Sequence, residues 1–298
     1  MSTQRMRTFR GFIWMGLFAG LFAAAGICAA QSGGQPAGHF AEGQRLLAGA
    51  DFPAALKAYQ AAATADPGNT EYQQQAAILR QVIQLRENVK QETNPEKRET
   101  IRGALRAYYY EHRLYGEALP LDQDRHATRP SPESATLLAE TLLELGRDVE
   151  AETVTATVSS QDAPPAARLL HGIALARLGR VDDARTLADA VALPEGASAD
   201  VLLHGARLQS LVGRADACCS LLARTMQATA PSALPAVKEY ARACPDFAAV
   251  VGASSFATAL ETGSKVSESK CSQAPSCGGC PRAKSCAHST PANTGRTE

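Results

Sequence analysis

Aromatic residues are scarce in this 298-residue chain: they make up 5% of it and include a single tryptophan, although 45% of all residues are hydrophobic. The apolar content is large enough to bury a core, but it is weighted towards alanine rather than towards aromatic or β-branched side chains. Alanine favours helices, whereas strands favour aromatic and β-branched residues. The composition therefore predicts an all-α fold.

The chain also lacks an excess of charge of either sign, because 30 basic residues balance 30 acidic ones. A protein that binds nucleic acid usually presents a basic surface, from which binding releases counterions. The sequence contains no basic stripe of this kind, and we expect no nucleic-acid partner.

Patterns that commonly mark an active site are missing as well. The sequence has no evident pair of catalytic carboxylates, no nucleophilic serine elbow and no glycine-rich loop for phosphate. Glu140, Glu144 and Glu150 surround a glycine turn and are interpreted as solvated helix faces. We therefore expect a protein that is not an enzyme.

The N-terminus has the composition of an export signal. Three arginines lie among the first ten residues, and an uncharged, mostly apolar run then extends over residues 11–30 and ends in small residues before Gln31. This pattern predicts either a signal peptide over residues 1–30 or an uncleaved membrane anchor of the same length. In both cases the arginines stay in the cytoplasm, so the rest of the chain is expected to face the periplasm. Residues 31–35 are assigned as a linker.

A repeated glycine turn is the most informative feature of the central part of the chain. Gly146, Gly179 and Gly213 each precede an arginine, at spacings of 33 and then 34 residues. Five residues after each glycine comes a small residue, where a second helix would approach the first: Ala151, Ala184 and Cys218. Each unit is therefore predicted to form a helix, a tight turn and a second helix.

Residues 36–69 form the clearest unit. Small, apolar, aromatic and helix-ending residues follow one another at fixed spacing along it: Gly43, Leu46, Ala50, Ala55, Tyr59, Ala62 and Pro67. With this pattern the segment resembles the tetratricopeptide repeat family. The small residues would let two antiparallel helices approach, and the aromatic ring would fill the space between them. Residues 99–131 resemble the family less, with Asp122 and Arg125 where an aromatic and a small residue are expected.

The resemblance implies a right-handed helical-repeat solenoid over residues 36–231. A repeat buries its apolar face only against a neighbour, so the array needs a cap, which residues 232–262 are predicted to supply as two helices. Asp246 is expected to be the N-cap of the second. Residues 70–91 are predicted to form one long helix. Beyond residue 262 the apolar periodicity stops, and we expect the tail over residues 263–298 to be mostly disordered.

In tetratricopeptide arrays the first helix of each repeat lines a concave face that accepts a helix or an extended peptide. The resemblance implies that Phe40, Gln44 and Leu47 of the first unit and Tyr110 of the second line a partner-binding groove. It also implies the main functional hypothesis, an exported scaffold or adaptor for another protein or peptide in the cell envelope. Contact with a membrane is expected only through the N-terminal segment, if that segment is uncleaved.

Four cysteines in the tail form a symmetric C-x5-C-x2-C-x5-C pattern: Cys271, Cys277, Cys280 and Cys286. Four thiolates this close together can meet at one tetrahedral centre, for which zinc and an iron–sulfur cluster are the candidate cofactors. In an oxidising compartment the same cysteines can instead form two disulfides. A third interpretation is that the cysteines stay reduced and have no function, and all three interpretations stay open. The first two give an alternative function, a metal- or redox-handling protein whose repeats dock on its client.

Three further cysteines lie near the end of the repeats. One interpretation is a disulfide that fixes the cap to the array, from Cys218 or, as the pairing we favour, Cys219 to Cys244. The other is that all three are small buried residues. His171 and His204 occupy equivalent positions in successive repeats, and we expect them to pack in the core rather than to share a metal.

Overall fold

The computed structural model describes residues 35–158 and 163–267. Helices take up 76% of these residues and no strand occurs among them, which confirms the predicted all-α class. The predicted signal or anchor segment at residues 1–30 and most of the tail lie outside the described residues. Within the two described ranges, no helix is both long enough and apolar enough to cross a bilayer.

The described part of the chain divides into two compact units, with the boundary between Gly146 and Arg147. The described helices of the first unit are α1 (Pro36–Ala48), α2 (Phe52–Ala65), α3 (Thr70–Gln91), α4 (Pro95–Glu111), α5 (Tyr115–Thr128) and α6 (Pro132–Glu144). Those of the second are α7 (Asp148–Ala156), α8 (Pro165–Arg177), α9 (Val181–Ala190), α10 (Ala199–Leu211), α11 (Ala215–Ala228), α12 (Leu234–Ala243) and α13 (Ser254–Leu260). Within each unit, neighbouring helices pack in pairs. The long helix predicted over residues 70–91 is confirmed as α3.

Polar N-cap residues begin several helices of the first unit. Asp51, Asn69 and Asn94 each accept hydrogen bonds from backbone N–H groups in the first turn that follows. Ser131 and Ser134 form a reciprocal capping box at the start of α6. These bonds satisfy N–H groups that a helix cannot pair internally, so they fix where each helix begins.

The predicted glycine turns are present in the structure. Gly146, Gly179 and Gly213 have positive φ angles of 69°, 81° and 80°, the left-handed conformation that ends a helix and that glycine adopts without steric cost. In the two earlier helix pairs the same conformation falls on Ala50 and Arg113, with φ of 58° and 56°. The turn geometry therefore also recurs where the glycine pattern does not show it.

Close packing of α1 on α2 depends on a glycine beneath an aromatic ring. Tyr59 is 2% exposed, and a Cβ added to Gly43 would lie 2.5 Å from the Cδ1 atom of that ring. Ala55 and Ala62, on the same helix as the tyrosine, are fully buried. This contact agrees with the small-and-aromatic pattern of residues 36–69, because a larger residue at position 43 would force the two helices apart.

The second unit uses a similar contact between α8 and α10. A Cβ added to Gly172 would lie 2.8 Å from the Cδ2 atom of Leu208. His204 on α10 is 5% exposed, which confirms its predicted place in the core. His171 on α8 is half-buried, and its Nδ1 atom lies 2.9 Å from the Oγ1 atom of Thr155 on α7.

The region that follows α12 differs from the prediction. Instead of a helix over residues 246–261, a short 3-10 helix spans Pro245–Phe247, and α13 begins only at Ser254. Asp246 is therefore not an N-cap. Its side chain is 2% exposed, and its carboxylate oxygens lie 2.8 Å from the Nε atoms of Arg177 on α8 and Arg207 on α10. These two ion pairs hold the 3-10 helix against α8 and α10. The chain therefore bends after α12 instead of continuing as a helix.

The described beginning of the tail is hydrogen-bonded to the C-terminal end of α11. The hydroxyl of Ser264 donates to the carbonyl of Thr229 at 2.6 Å, and the backbone N–H of Lys265 donates to the carbonyl of Gln227 at 2.9 Å. The tail therefore leaves the second unit beside α11.

Candidate functional site

An open cleft in the first unit contains three of the four predicted groove residues, Phe40, Gln44 and Leu47. The cleft has a volume of about 290 Å³ and is formed by α1, the first two turns of α3 and the end of α4, with one side chain from α2. Its lining residues are Phe40, Gln44, Leu47, Ala48, Tyr59, Glu71, Gln75 and His112. The packing of α1 against α2 and α3 thus gathers residues that the repeat pattern placed on one face.

Apolar side chains form the floor of this cleft. The ring centroid of Phe40 lies 5.3 Å from that of Tyr59 and 4.7 Å from that of Tyr72. Phe40 is half-buried. Leu47 is only 4% exposed and belongs to the hydrophobic core of the unit. Leu47 is therefore mainly a core residue that touches the cleft, whereas Phe40 offers more surface to a ligand.

Polar side chains surround the floor. Gln44 on α1 and Glu71 on α3 are exposed, and Gln75, one helical turn after Glu71, is half-buried. An amide side chain can donate and accept hydrogen bonds at once, and a carboxylate accepts only. The rim can therefore pair with both groups of a peptide backbone and with one cationic side chain.

His112 lies at the C-cap of α4 and completes the lining. The centroid of its ring lies 4.3 Å from that of Tyr108. Burial lowers the pKa of His112, although the charge of Glu111 opposes that shift. The imidazole is therefore neutral near pH 7, with one nitrogen able to donate a hydrogen bond and one able to accept.

Tyr110, the fourth predicted groove residue, does not line this cleft. Its hydroxyl lies 2.6 Å from the Oγ1 atom of Thr141 on α6, and the guanidinium carbon of Arg106 lies 4.0 Å from the centroid of its ring. The structure therefore does not bring Tyr110 together with the other three predicted groove residues. Burial raises the pKa of its phenol, and Glu140 adds to that effect, so the hydroxyl stays protonated.

A polar cluster buried among α4, α5 and α6 was not anticipated from the sequence. The Nε atom of Arg106 lies 3.1 and 3.0 Å from the two carboxylate oxygens of Asp122, and its Nη2 atom lies 2.6 Å from Glu140. The side chain of Asp122 is only 1% exposed. The hydroxyl of Thr141 donates to Asp122 at 2.6 Å, so the hydroxyl of Tyr110 must donate to Thr141.

This cluster changes the interpretation of two acidic residues. Asp122 stands where the repeat pattern expects an aromatic residue, and that departure was the sequence signal that could have revealed a buried ion pair. Glu140 is 20% exposed and bonded to Arg106, so its prediction as part of a solvated helix face is wrong. All groups that this cluster brings together are paired with one another, which is typical of a structural element rather than of a binding site.

The structure has Cys218, Cys219 and Cys244 as free, buried thiols. The predicted bridge from Cys219 to Cys244 is not formed, because the sulfur of Cys219 faces the hydroxyl of Ser255 at 3.6 Å while Cys244 bonds with Tyr240. Burial raises the pKa of Cys244 and raises that of Cys218 to about 12. Thiols that stay protonated at neutral pH react slowly.

Metal binding was predicted for the tail alone. Cys271, Cys277, Cys280 and Cys286 lie outside the described residues. Over residues 35–158 and 163–267, no group of three histidine, cysteine or acidic side chains is arranged to hold a metal ion.

Comparisons with known proteins do not name a family. No protein-family model matches this chain, and no curated protein matches it. The resemblance to tetratricopeptide repeats therefore depends on the residues themselves and on their packing.

Proposed function

We propose that this chain is an exported, non-catalytic binding protein, built as a right-handed array of tetratricopeptide-type helix pairs. The cleft around Phe40 and Gln44 would hold a peptide segment of a partner protein in the cell envelope. The observation that carries this proposal is the convergence of three groove residues, chosen from the repeat pattern, on a single open cleft.

The repeat assignment is supported by two kinds of contact. Gly43 lies under Tyr59 in the position that the small-and-aromatic pattern requires. The left-handed turn recurs in later helix pairs, at Gly179 and Gly213 among others. Paired antiparallel helices with such turns are the building blocks of helical-repeat binding proteins.

The lining of the cleft favours a particular kind of peptide. Phe40 and Tyr59 provide an apolar floor for one aliphatic or aromatic side chain. The amides of Gln44 and Gln75 can pair with a backbone carbonyl and N–H group, which lets them hold a peptide without selecting its sequence. Glu71 is the one charged residue of the lining, and it would favour a basic residue next to the apolar one.

Replacement of Gln44 tests the proposal most directly. Gln44 is exposed, so Gln44→Glu should leave the fold intact while adding a second negative charge and removing an N–H donor. Leu47 is unsuitable for this test, because a charge at a buried core position would destabilise the unit. We expect at least one protein that co-purifies with the full-length chain from its native envelope to be depleted by Gln44→Glu.

Gln84→Glu is the matched control. Gln84 is exposed on α3, and it lies nine residues after Gln75, or about 13 Å along the helix. Proteins retained by Gln84→Glu but lost from Gln44→Glu, measured by quantitative mass spectrometry, are partners of the cleft. Identical sets of co-purifying proteins from the wild type and both variants would rule the cleft out as the binding site.

A further inference from the structure

A second cavity in the first unit is surrounded by arginines. It has a volume of about 260 Å³ and lies between the start of α4, the end of α5 and the start of α6. Arg98 and Arg102 of α4, Arg125 of α5, and Arg129 at the C-cap of α5 line it, together with Ser131 and Ser134 of the α6 capping box. None of these residues lines the cleft around Phe40.

Positive charge exceeds negative charge around this cavity. Four arginines and two acidic residues, Glu99 and Glu133, line the cavity, and the pairing of Arg102 with Asp124, outside the lining, leaves an excess of one positive charge. Glu99 is shared, since it contacts both Arg102 and Arg125. The carboxylate of Glu133 is held by its own backbone N–H and by Ser131, so it is directed to the helix terminus rather than to an arginine.

The arginines are crowded and incompletely paired. The side chain of Arg102 is 7% exposed and contacts Asp124, which lies outside the lining. Burial lowers the pKa of Arg102, and repulsion by Arg98 and Arg125 lowers it further, although Glu99 opposes the shift. The Nε atom of Arg125 is buried and has no hydrogen-bond acceptor among the described residues. A buried donor without an acceptor costs free energy.

We propose that this cavity is a binding site for a phosphate group, either free phosphate or a phosphate monoester. Several guanidinium groups around one cavity suit a tetrahedral oxyanion, which offers three or more acceptor oxygens and up to two negative charges. A single carboxylate would be satisfied by one arginine and would leave the others unpaired. Arg129 is exposed and Arg98 is half-buried, whereas Arg102 is enclosed. The Nε and Nη2 atoms of Arg98 already donate to the backbone carbonyl of Glu92, so its Nη1 atom would be the donor to the anion.

Calorimetric titration of the full-length chain tests this site, with inorganic phosphate as one probe and glycerol 3-phosphate as the other, in chloride buffer of constant ionic strength. We expect one anion to bind per chain. Arg98→Gln and Arg129→Gln should each weaken the affinity by about tenfold, since each removes a charge-assisted hydrogen bond. The probe that binds with the higher affinity shows whether the site takes free phosphate or a phosphate monoester.

Arg80→Gln is the control for the loss of one positive charge. Arg80 is exposed on α3 of the same unit and does not line the cavity. The Arg80→Gln variant should bind both probes with the affinity of the wild type. Circular dichroism should show the same helix content in all variants. The proposal is overturned if neither probe binds, or if Arg80→Gln weakens binding as much as Arg98→Gln and Arg129→Gln do.

Discussion

At the scale of single residues, two glycines inside helices have opposite surroundings. A Cβ at position 43 would collide with the buried ring of Tyr59, whereas a Cβ at position 103, in the middle of α4, would meet no atom within 4 Å. Glycine weakens a helix because the unfolded chain has more conformational freedom to lose. The same substitution is therefore expected to have opposite effects at the two sites.

Gly43→Ala should lower the free energy of unfolding by about 1–3 kcal/mol, because the added methyl group overpacks the core against the buried ring of Tyr59. Gly103→Ala should raise it by about 0.5–1 kcal/mol, because it improves helix propensity without a clash. Urea unfolding followed by circular dichroism measures both changes. If both variants were stabilised, the close contact between α1 and α2 would be excluded.

The sequence predicts the position of a residue well where the local spacing of residues determines it. It predicts the position poorly where a contact with a distant helix determines it. The pattern of residues 36–69 was sufficient to place Gly43 and Tyr59 in contact and to bring Phe40 and Gln44 to one surface. Tyr110 does not lie on that surface, because its hydroxyl pairs with Thr141, 31 residues further along the chain. No pattern local to α4 records that contact.

At the scale of helices, a buried carboxylate joins three elements of the second unit. Asp246 ties the 3-10 helix at Pro245–Phe247 to α8 through Arg177 and to α10 through Arg207. These partners are 69 and 39 residues away in the sequence. The number and order of the helices follow from periodicity and turn residues, but the bend after α12 depends on this distant pairing, which explains why the prediction extended a helix there.

Asp246→Asn should lower the free energy of unfolding by about 3–5 kcal/mol at pH 7, because it removes a buried negative charge that pairs with Arg207 and that shares Arg177 with Asp148. Burial alone would raise the pKa of Asp246, but the charges and hydrogen bonds of Arg207 and Arg177 outweigh it and hold this pKa below its usual range. In acid the unfolded state therefore binds the proton more readily than the folded state. The contribution of Asp246 is present above the unfolded pKa of about 3.9 and is lost as the pH falls through the folded pKa.

Urea unfolding at a series of pH values tests whether the stability contributed by Asp246 is lost in acid. The difference in stability between wild type and Asp246→Asn should be constant from pH 7 to about pH 5 and should shrink at more acidic pH. Glu195→Gln is the control, because Glu195 is exposed in the loop between α9 and α10. The stability of this variant should differ little from that of the wild type at every pH. A difference that grows with acidity would mean that Asp246 is not the buried anion described above.

At the scale of the whole chain, each of the two compact units has a hydrophobic core of its own. The core of the first unit is built from residues of α1 to α5 around Tyr59 and Tyr109, and a core of the second is built from residues of α10 to α13 around Phe247 and Phe256. In helical-repeat proteins stability comes from contacts between neighbouring repeats. A cut between the units leaves these two cores whole, whereas a cut inside a unit removes contacts on which a core depends.

Residues 35–146 and residues 147–267, produced as separate chains, should therefore each show helical circular dichroism and a cooperative unfolding transition in urea. Residues 147–194 provide the matched negative control. That fragment keeps α7, α8 and α9 but lacks α10, which packs against α8 at the contact of Leu208 with Gly172. It should unfold without a cooperative transition. Absence of a cooperative transition from either full unit would show that the boundary at Gly146 does not separate independently stable cores, and a cooperative transition in the control would show that α7 to α9 fold without α10.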